Sequence, residues 1–171
     1  MGAIAVLGLG ASMKLFDPQE YEMSVGVNDI WNYHHSEAVV CLDRRSAFTA
    51  SRYLTIETCR PDAFYSQIVN WDFIPGFVKI DLLPQYSETV IDLNLQKFHK
   101  SYCSPFVACQ VAFRYYKASY IHLFGVDLVS HPHLDQRMCG RIKHHFTLLA
   151  KALRENGCQF IVHGEGILKN I

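Results

Sequence analysis

Short apolar runs alternate along this chain with segments of helical pattern, and each run ends at a glycine or a polar residue. A continuous run of about four to eight apolar residues is typical of a strand that is buried on both faces of a parallel sheet. The runs that fit this description are residues 3–10, 22–28, 37–43, 119–127 and 158–166. Strands alternating with helices predict an α/β fold, here one domain with a doubly wound, Rossmann-like, mostly parallel sheet and helices on both faces.

Two helices are predicted from their ends and their apolar spacing. Ser104 as N-cap with Pro105 at the first helical position indicates a helix over residues 104–118. A second helix has one apolar face and is expected to end at Asn156-Gly157. Residues 46–58 are a further helix candidate, and residues 77–83 and 87–94 are further strand candidates.

The length, charge and apolar content of the chain limit the classes of molecule that it is expected to bind. The chain has 171 residues, which is enough for one domain with a sizeable core. Lys plus Arg equals Asp plus Glu at 16 each, so no global positive field favours nucleic acid. No apolar run approaches the roughly 20 residues that cross a bilayer, and the first three residues lack the basic start of a signal peptide. A cytoplasmic protein is expected.

The six cysteines form no C-x-x-C pair, and several lie inside apolar runs. Cysteine in such surroundings behaves as a small hydrophobic residue. We therefore expect free, buried thiols in a reducing compartment.

A ligand site is expected where the parallel strands end, because α/β proteins bind ligands beyond the carboxyl ends of their strands. The residues predicted at that edge are Gly8 to Ser12, Asn28-Asp29, Asp43 to Arg45, Gly125 to Asp127 and His163-Gly164. The Gly8–Ser12 loop either offers backbone N–H groups to a phosphate or forms a plain strand-to-helix turn. The third glycine of the dinucleotide fingerprint is missing, which favours a mononucleotide or nucleotide-sugar. Asn28 either contacts the ligand or caps a helix.

A polar segment after the fourth run places Asp127, His131, His133 and Asp135 within nine residues. Imidazole and carboxylate groups suit either a divalent metal or general-base chemistry near neutral pH, and a plain polar loop is the alternative. The histidines at 144 and 145 are expected on the solvated surface of the last helix. Neither a Gly-x-Ser-x-Gly elbow nor a phosphate-binding P-loop is present.

Three motifs taken in order resemble sialyltransferase family 42 and its relatives, the motility-accessory-factor and hydroxymethylpterin-pyrophosphokinase-like proteins. The motifs are "VLGLGASMKLFD", "SVGVNDIW" with "AVVCLD", and "SPFVACQVAFRYYKASYIHLFGVDL". The resemblance implies a nucleotide site whose phosphate-binding loop contains Gly8, Gly10, Ala11 and Ser12. It further implies nucleotide contacts from Asn28 and Ser104, with Asp127 lining the pocket. Asp43, at the end of the third run, is a further candidate for cofactor binding.

The function expected from this resemblance is that of a small nucleotide-dependent transferase, glycosyltransferase-like, with a nucleotide-activated sugar as donor and a hydroxyl acceptor. His131 or His133 would act as the base, with Asp127 beside it. One alternative is ATP-dependent diphosphate transfer to a pterin-like alcohol, with Mg²⁺ held by Asp43, Asp127 and Asp135. Another is a nucleotide-binding module without catalysis. Relatives often form oligomers, and the aromatic-rich residues 53–77 are a candidate interface.

Overall fold

The centre of the protein is a seven-stranded sheet in which all paired strands run parallel. The computed structural model describes residues 2–48, 60–86, 88–129 and 134–171. The strands of this sheet are β1 (Ala3–Leu7), β2 (Met23–Val27), β3 (Ala38–Val40), β4 (Ala63–Ser66), β5 (Phe77–Lys79), β8 (Tyr120–Phe124) and β9 (Gln159–Val162). Two further strands, β6 (Leu82–Tyr86) and β7 (Phe98–Lys100), form a separate parallel pair. The predicted α/β class with a mostly parallel sheet is confirmed.

The order of the strands reverses direction beside β1. The order across the sheet is β5-β4-β3-β2-β1-β8-β9, so the chain adds strands on one side of β1 and later returns to its other side. Leu7 pairs with Gly26 of β2 and with Phe124 of β8, which brings the ends of these three strands to one level. The loops after β1 and β8 are therefore neighbours at the edge of the sheet where the carboxyl ends of the strands meet, which we call the carboxyl edge.

Two α-helices are described, α1 (Ser104–Tyr116) and α2 (Gln136–Glu155). Cys103, not Ser104, is the N-cap of α1, and Ser104 is its first helical residue. The helix starts one residue earlier than predicted, and the Ser104 hydroxyl donates to the Asn28 side chain instead of capping the helix. As predicted, α2 ends at Asn156-Gly157, where Gly157 has a left-handed φ of 81°.

The two faces of the sheet are covered differently. Ile4 and Val6 of β1 pack in the core that contains both helices, whereas Ala5 and Leu7 face the opposite side. In the described part of the chain, 3₁₀ turns and aromatic side chains cover that second core. The prediction of helices on both faces of the sheet is therefore not met by the described residues. The connections β2–β3 and β4–β5 are ten residues each, which is too short for a full helical crossover.

Several local predictions need correction. Residues 77–83 are divided between β5 and β6, with a break at Ile80 and Asp81. Residues 88–94 contain a bend and a turn but no strand. Of the helix candidate over 46–58, residues 46 and 47 belong to a short 3₁₀ turn, and residues 49–59 lie outside the described ranges. Within those ranges Cys103, Cys109, Cys139 and Cys158 are free thiols. None of the helices described there is long and apolar enough to cross a membrane.

Candidate functional site

The loops after β1 and β8 meet in a closed hydrogen-bonded unit, which we call the β1–β8 corner. Its members are Gly8, Gly10, Ser12, Gly125 and Asp127. The N–H of Gly8 donates to the last carbonyl of β8 and that of Gly10 donates to the Gly125 carbonyl, both at 2.8 Å. The Ser12 N–H donates to Asp127 Oδ2 at 2.9 Å, and the Ser12 Oγ accepts from the Gly125 N–H at 2.8 Å. The protein itself therefore uses the donors of Gly8, Gly10 and Ser12.

The glycines of this corner are required by contact between two backbones. A Cβ on Gly8 would collide with the Gly125 carbonyl, and a Cβ on Gly125 would collide with the Gly8 carbonyl. A Cβ on Gly10 would lie 2.6 Å from Asp127 Oδ2 and 2.8 Å from the Gly125 oxygen. Gly125 also has a φ of 68°, which disfavours other residues. Backbone packing accounts for this loop without a ligand, and a phosphate would compete with bonds that already exist.

Asp127 joins the corner to the loop after β9. Its main-chain oxygen accepts from the Ile167 N–H at 3.0 Å, while its carboxylate holds Ser12. A Cβ on Gly164 would lie 2.8 Å from Asp127 Oδ1 and 2.5 Å from the Ser12 Cβ. Asp127 therefore has a structural role, in addition to its predicted role in lining the pocket.

A second polar group, the α1 start, lies where β2 ends and α1 begins. Its members are Asn28, Ser101, Ser104 and His145. Asn28 has a left-handed φ of 51°, and its Oδ1 accepts from the Ser104 hydroxyl at 3.2 Å. Within the described residues its Nδ2 group makes no hydrogen bond. The sequence pointed to Asn28 and Ser104 separately, and the structure brings them into contact.

Ser101 and His145 form a buried pair in the α1 start. Their side chains lie 2.9 Å apart, from Ser101 Oγ to His145 Nδ1, and are 7% and 1% exposed. No described residue pairs with His145 Nε2, which is also buried. Burial lowers the pKa of the His145 imidazole, which keeps the ring neutral near pH 7. The expected solvated position is wrong for His145, whereas His144 is exposed.

Two other predicted residues, Asp43 and Ala11, belong to neither group. Asp43 is exposed after β3, and its main-chain oxygen accepts from Trp71 Nε1 at 2.9 Å. Ala11 is exposed and begins a 3₁₀ turn. His131 and His133 lie outside the described residues.

The carboxylates suggested for Mg²⁺ have separate surroundings. Asp135 caps α2 by accepting from the Met138 N–H at 2.7 Å, Asp127 belongs to the β1–β8 corner, and Asp43 is exposed. Across residues 2–48, 60–86, 88–129 and 134–171, no group of three or more His, Cys, Asp or Glu side chains is placed to hold a metal ion.

Sequence reasoning missed the Ser101–His145 pair, although one signal was present. His145 lies three residues after Ile142 and four before Leu149, which puts it on the apolar face of α2. Ser101 was missed because the strand before α1 was placed at 87–94, while β7 ends at Lys100, directly before Ser101.

Comparison of the chain with protein-family models, with curated proteins and with solved structures gives no match.

Proposed function

We propose that this protein is a small nucleotide-dependent transferase, glycosyltransferase-like, that binds a nucleotide-activated sugar at the carboxyl edge of a doubly wound, Rossmann-like sheet. The observation that carries the proposal is the unused hydrogen-bonding capacity of the α1 start, beside the point where the strand order reverses. Open α/β sheets bind ligands in the crevice at such a reversal.

The α1 start offers donors that suit a phosphate. The first N–H groups of a helix have no partner within the helix and attract anions through the helix dipole. Asn28 adds an amide Nδ2 donor beside the first turn of α1, where Ser104 fixes the amide through Oδ1. The N–H groups of the β1–β8 corner serve mainly to hold the loops in place. In this arrangement the nucleotide phosphates lie against the start of α1, with the exposed Ala11 at the border of the pocket.

The reaction that we propose is transfer of the sugar from the nucleotide to a hydroxyl acceptor. A hydroxyl acceptor loses its proton to His131 or His133, its oxygen bonds to the anomeric carbon of the sugar, and the bond from that carbon to the phosphate oxygen breaks. The leaving phosphate gains negative charge, which the helix N–H groups and the Asn28 amide stabilise. Arg44 and Arg45, exposed after β3, supply positive charge at the same edge.

The test is thermal unfolding with CMP, UDP, GDP and ATP, each at millimolar concentration. A nucleotide at ten times its dissociation constant stabilises the fold by about 1.4 kcal/mol, which corresponds to a rise of about 3–5 °C in Tm. Asn28→Gly removes the amide and keeps the left-handed backbone, so the shift should fall markedly. Asn170→Gly is the matched control, because Asn170 is exposed and has a left-handed φ of 69° near the C-terminal end.

The proposal fails if no nucleotide changes Tm. It also fails if nucleotide raises Tm by the same amount in Asn28→Gly and in Asn170→Gly. A response to ATP only with Mg²⁺, followed by AMP release on addition of a hydroxyl acceptor, would replace sugar transfer with diphosphate transfer. Binding without turnover of any nucleotide-sugar would reduce the function to that of a binding module.

A further inference from the structure

Two imidazoles and a phenol form a cluster on the second face of the sheet, away from both helices. His122 belongs to β8 and alternates with Ile121 and Leu123, which face the helical core. His163 directly follows β9, and Tyr21 precedes β2. All three members of the cluster are half-buried.

One hydrogen bond joins the two imidazoles directly. His122 Nδ1 lies 2.9 Å from His163 Nε2, and the ring centroids are 5.1 Å apart. Phe124 stacks on the His163 ring with a centroid distance of 4.1 Å and an interplanar angle of 10°. The Tyr21 hydroxyl lies 3.3 Å from the same His122 nitrogen. His122 Nδ1 therefore has two alternative partners, of which His163 is the nearer.

The bond between the imidazoles tolerates one added proton but not two. When both rings are neutral, one of the two facing nitrogens donates and the other accepts. A first added proton leaves the bond intact, because it binds to the far nitrogen of the ring that donates. A second added proton puts N–H groups on both facing nitrogens. The hydrogen bond is then lost, and two positive rings repel each other with their centres 5.1 Å apart.

The surroundings of the pair favour its neutral form near pH 7. Burial lowers the pKa of both imidazoles, and the charge of His163 lowers the pKa of His122 further. The charge of Glu20 opposes the effect of burial at His163. Further titratable groups packed around the cluster are Tyr21, Asp17, His34 behind the Phe16 ring, and Asp127 beside Gly164.

The loop after β9, residues 163–167, connects the cluster with the β1–β8 corner. Gly164 has a left-handed φ of 102°, and a Cβ there would lie 2.5 Å from the Ser12 Cβ. The Ile167 N–H donates to the main-chain oxygen of Asp127 at 3.0 Å. His122, in contrast, lies inside a strand that is paired on both sides, with β1 and with β9. Separation of the two rings is therefore expected to move the loop and not β8.

We propose that Tyr21, His122 and His163 form a pH-sensitive latch, which holds the loop after β9 against the β1–β8 corner near neutral pH and releases it when both imidazoles are protonated. In the released state the His122 Nδ1–H donates to the Tyr21 hydroxyl oxygen instead. The proposal does not depend on nucleotide binding, because the latch shares none of its polar atoms with the α1 start.

The experiment is amide hydrogen exchange, measured by NMR between pH 7.5 and pH 5 and corrected for the intrinsic exchange rate at each pH. Below about pH 6.5 the released loop binds more protons than the closed loop. Protection of the Ile167 N–H should therefore fall, by up to about tenfold per pH unit for each extra proton bound. The Val6 N–H, in a strand paired on both sides, should lose less protection, which distinguishes local release from global unfolding.

Three variants assign the effect to the latch. His163→Gln replaces the ring by an amide that does not titrate, so the pH dependence of Ile167 protection should be largely removed. Tyr21→Phe removes the alternative partner of His122 and should reduce the loss of protection at pH 5. His144→Asn, at an exposed histidine of α2, is the matched control and should behave as wild type does.

Equal protection of the Ile167 N–H at pH 7.5 and pH 5 in wild type would overturn the proposal. An equal loss at Val6 and Ile167, or wild-type pH dependence in His163→Gln, would overturn it as well. If His163→Gln fails to fold, His122→Asn decides the outcome, since it also removes one titrating ring of the pair.

Discussion

The β1–β8 corner and the α1 start lie at the same edge of the sheet but differ in how their polar groups are used. In the corner, the donors of Gly8, Gly10, Ser12 and Gly125 all have protein acceptors. In the α1 start, the described residues provide no partner for His145 Nε2. Buried polar atoms in folded proteins are usually paired with protein, water or ligand, so ligand contacts are expected in the second region.

This difference shows that a glycine loop after the first strand need not be a phosphate site. Gly8 and Gly10 permit close approach to the Gly125 carbonyl, which is a packing requirement between two loops. The following predictions test whether the corner has a structural role. They also test whether substitutions in the α1 start cost less stability, as expected of a region whose polar groups serve a ligand.

The largest expected effect is that of Gly125→Ala. The new Cβ would collide with the Gly8 backbone, and alanine is strained at a φ of 68°. The free energy of unfolding should fall by about 3–5 kcal/mol, measured by urea denaturation. Gly140→Ala in α2 is the control: nothing lies within 4 Å of its Cβ, and a gain of about 0.5–1 kcal/mol is expected from helix propensity. Similar free energies of unfolding for Gly125→Ala and Gly140→Ala would show that the corner has no structural role.

Ser12→Ala should have the next largest effect. It leaves the buried Gly125 N–H without its acceptor, which costs about 1–3 kcal/mol of unfolding free energy. Ser104→Ala removes a side-chain hydrogen bond of the α1 start and should cost about 0.5–1.5 kcal/mol. Urea denaturation of both variants compares the two regions directly, and a greater loss for Ser104→Ala would reverse the comparison.

The stability of the protein should depend on the protonation of buried histidines. Burial lowers the pKa of His145 and of His99 in the folded state, so the unfolded chain binds more protons below about pH 6.5. Stability is therefore fully present above that pH and falls as the pH is lowered, with a limiting slope of about 1.4 kcal/mol per pH unit for each group.

Around His145, the charge of Glu88 opposes the effect of burial, and the charges of His144 and Arg141 add to it. Urea denaturation between pH 7.5 and pH 5 should give a shallower pH dependence for His145→Asn than for wild type. The exposed His144→Asn is the control. An unchanged slope for His145→Asn would mean that His145 titrates normally in the folded protein.

A last comparison separates the backbone of Asn28 from its side chain. Both Asn28→Gly and Asn28→Ala lose the hydrogen bond to Ser104, but only alanine is strained at a φ of 51°. Asn28→Gly should be more stable than Asn28→Ala by about 1–2 kcal/mol in urea denaturation. Equal stability would show that the left-handed backbone is not held at this position in solution.

Predictions of strands and helix ends are accurate where the pattern that supports them lies within one short segment of sequence. β1, β2, β3, β8 and β9 lie within the apolar runs. The continuous apolar residues of β1, β2 and β3 fit strands that are buried on both faces. Asn156-Gly157 ends α2 as expected, because a left-handed C-terminal residue favours glycine. The strand predicted at 87–94 is wrong, because pairing of β7 with β6 depends on a neighbour that periodicity does not identify.

The sequence alone determined the parallel α/β class, and it predicted a polar edge and, separately, Asn28 and Ser104 as candidate site residues. Tertiary structure decided which of these groups meet. Ser12 is 115 positions from the Asp127 carboxylate that it contacts, and His122 is 41 positions from His163. Such contacts follow from strand order and from the close approach of loops. The same glycine loop can therefore serve packing or phosphate binding, and only its neighbours in space determine whether its N–H groups are free.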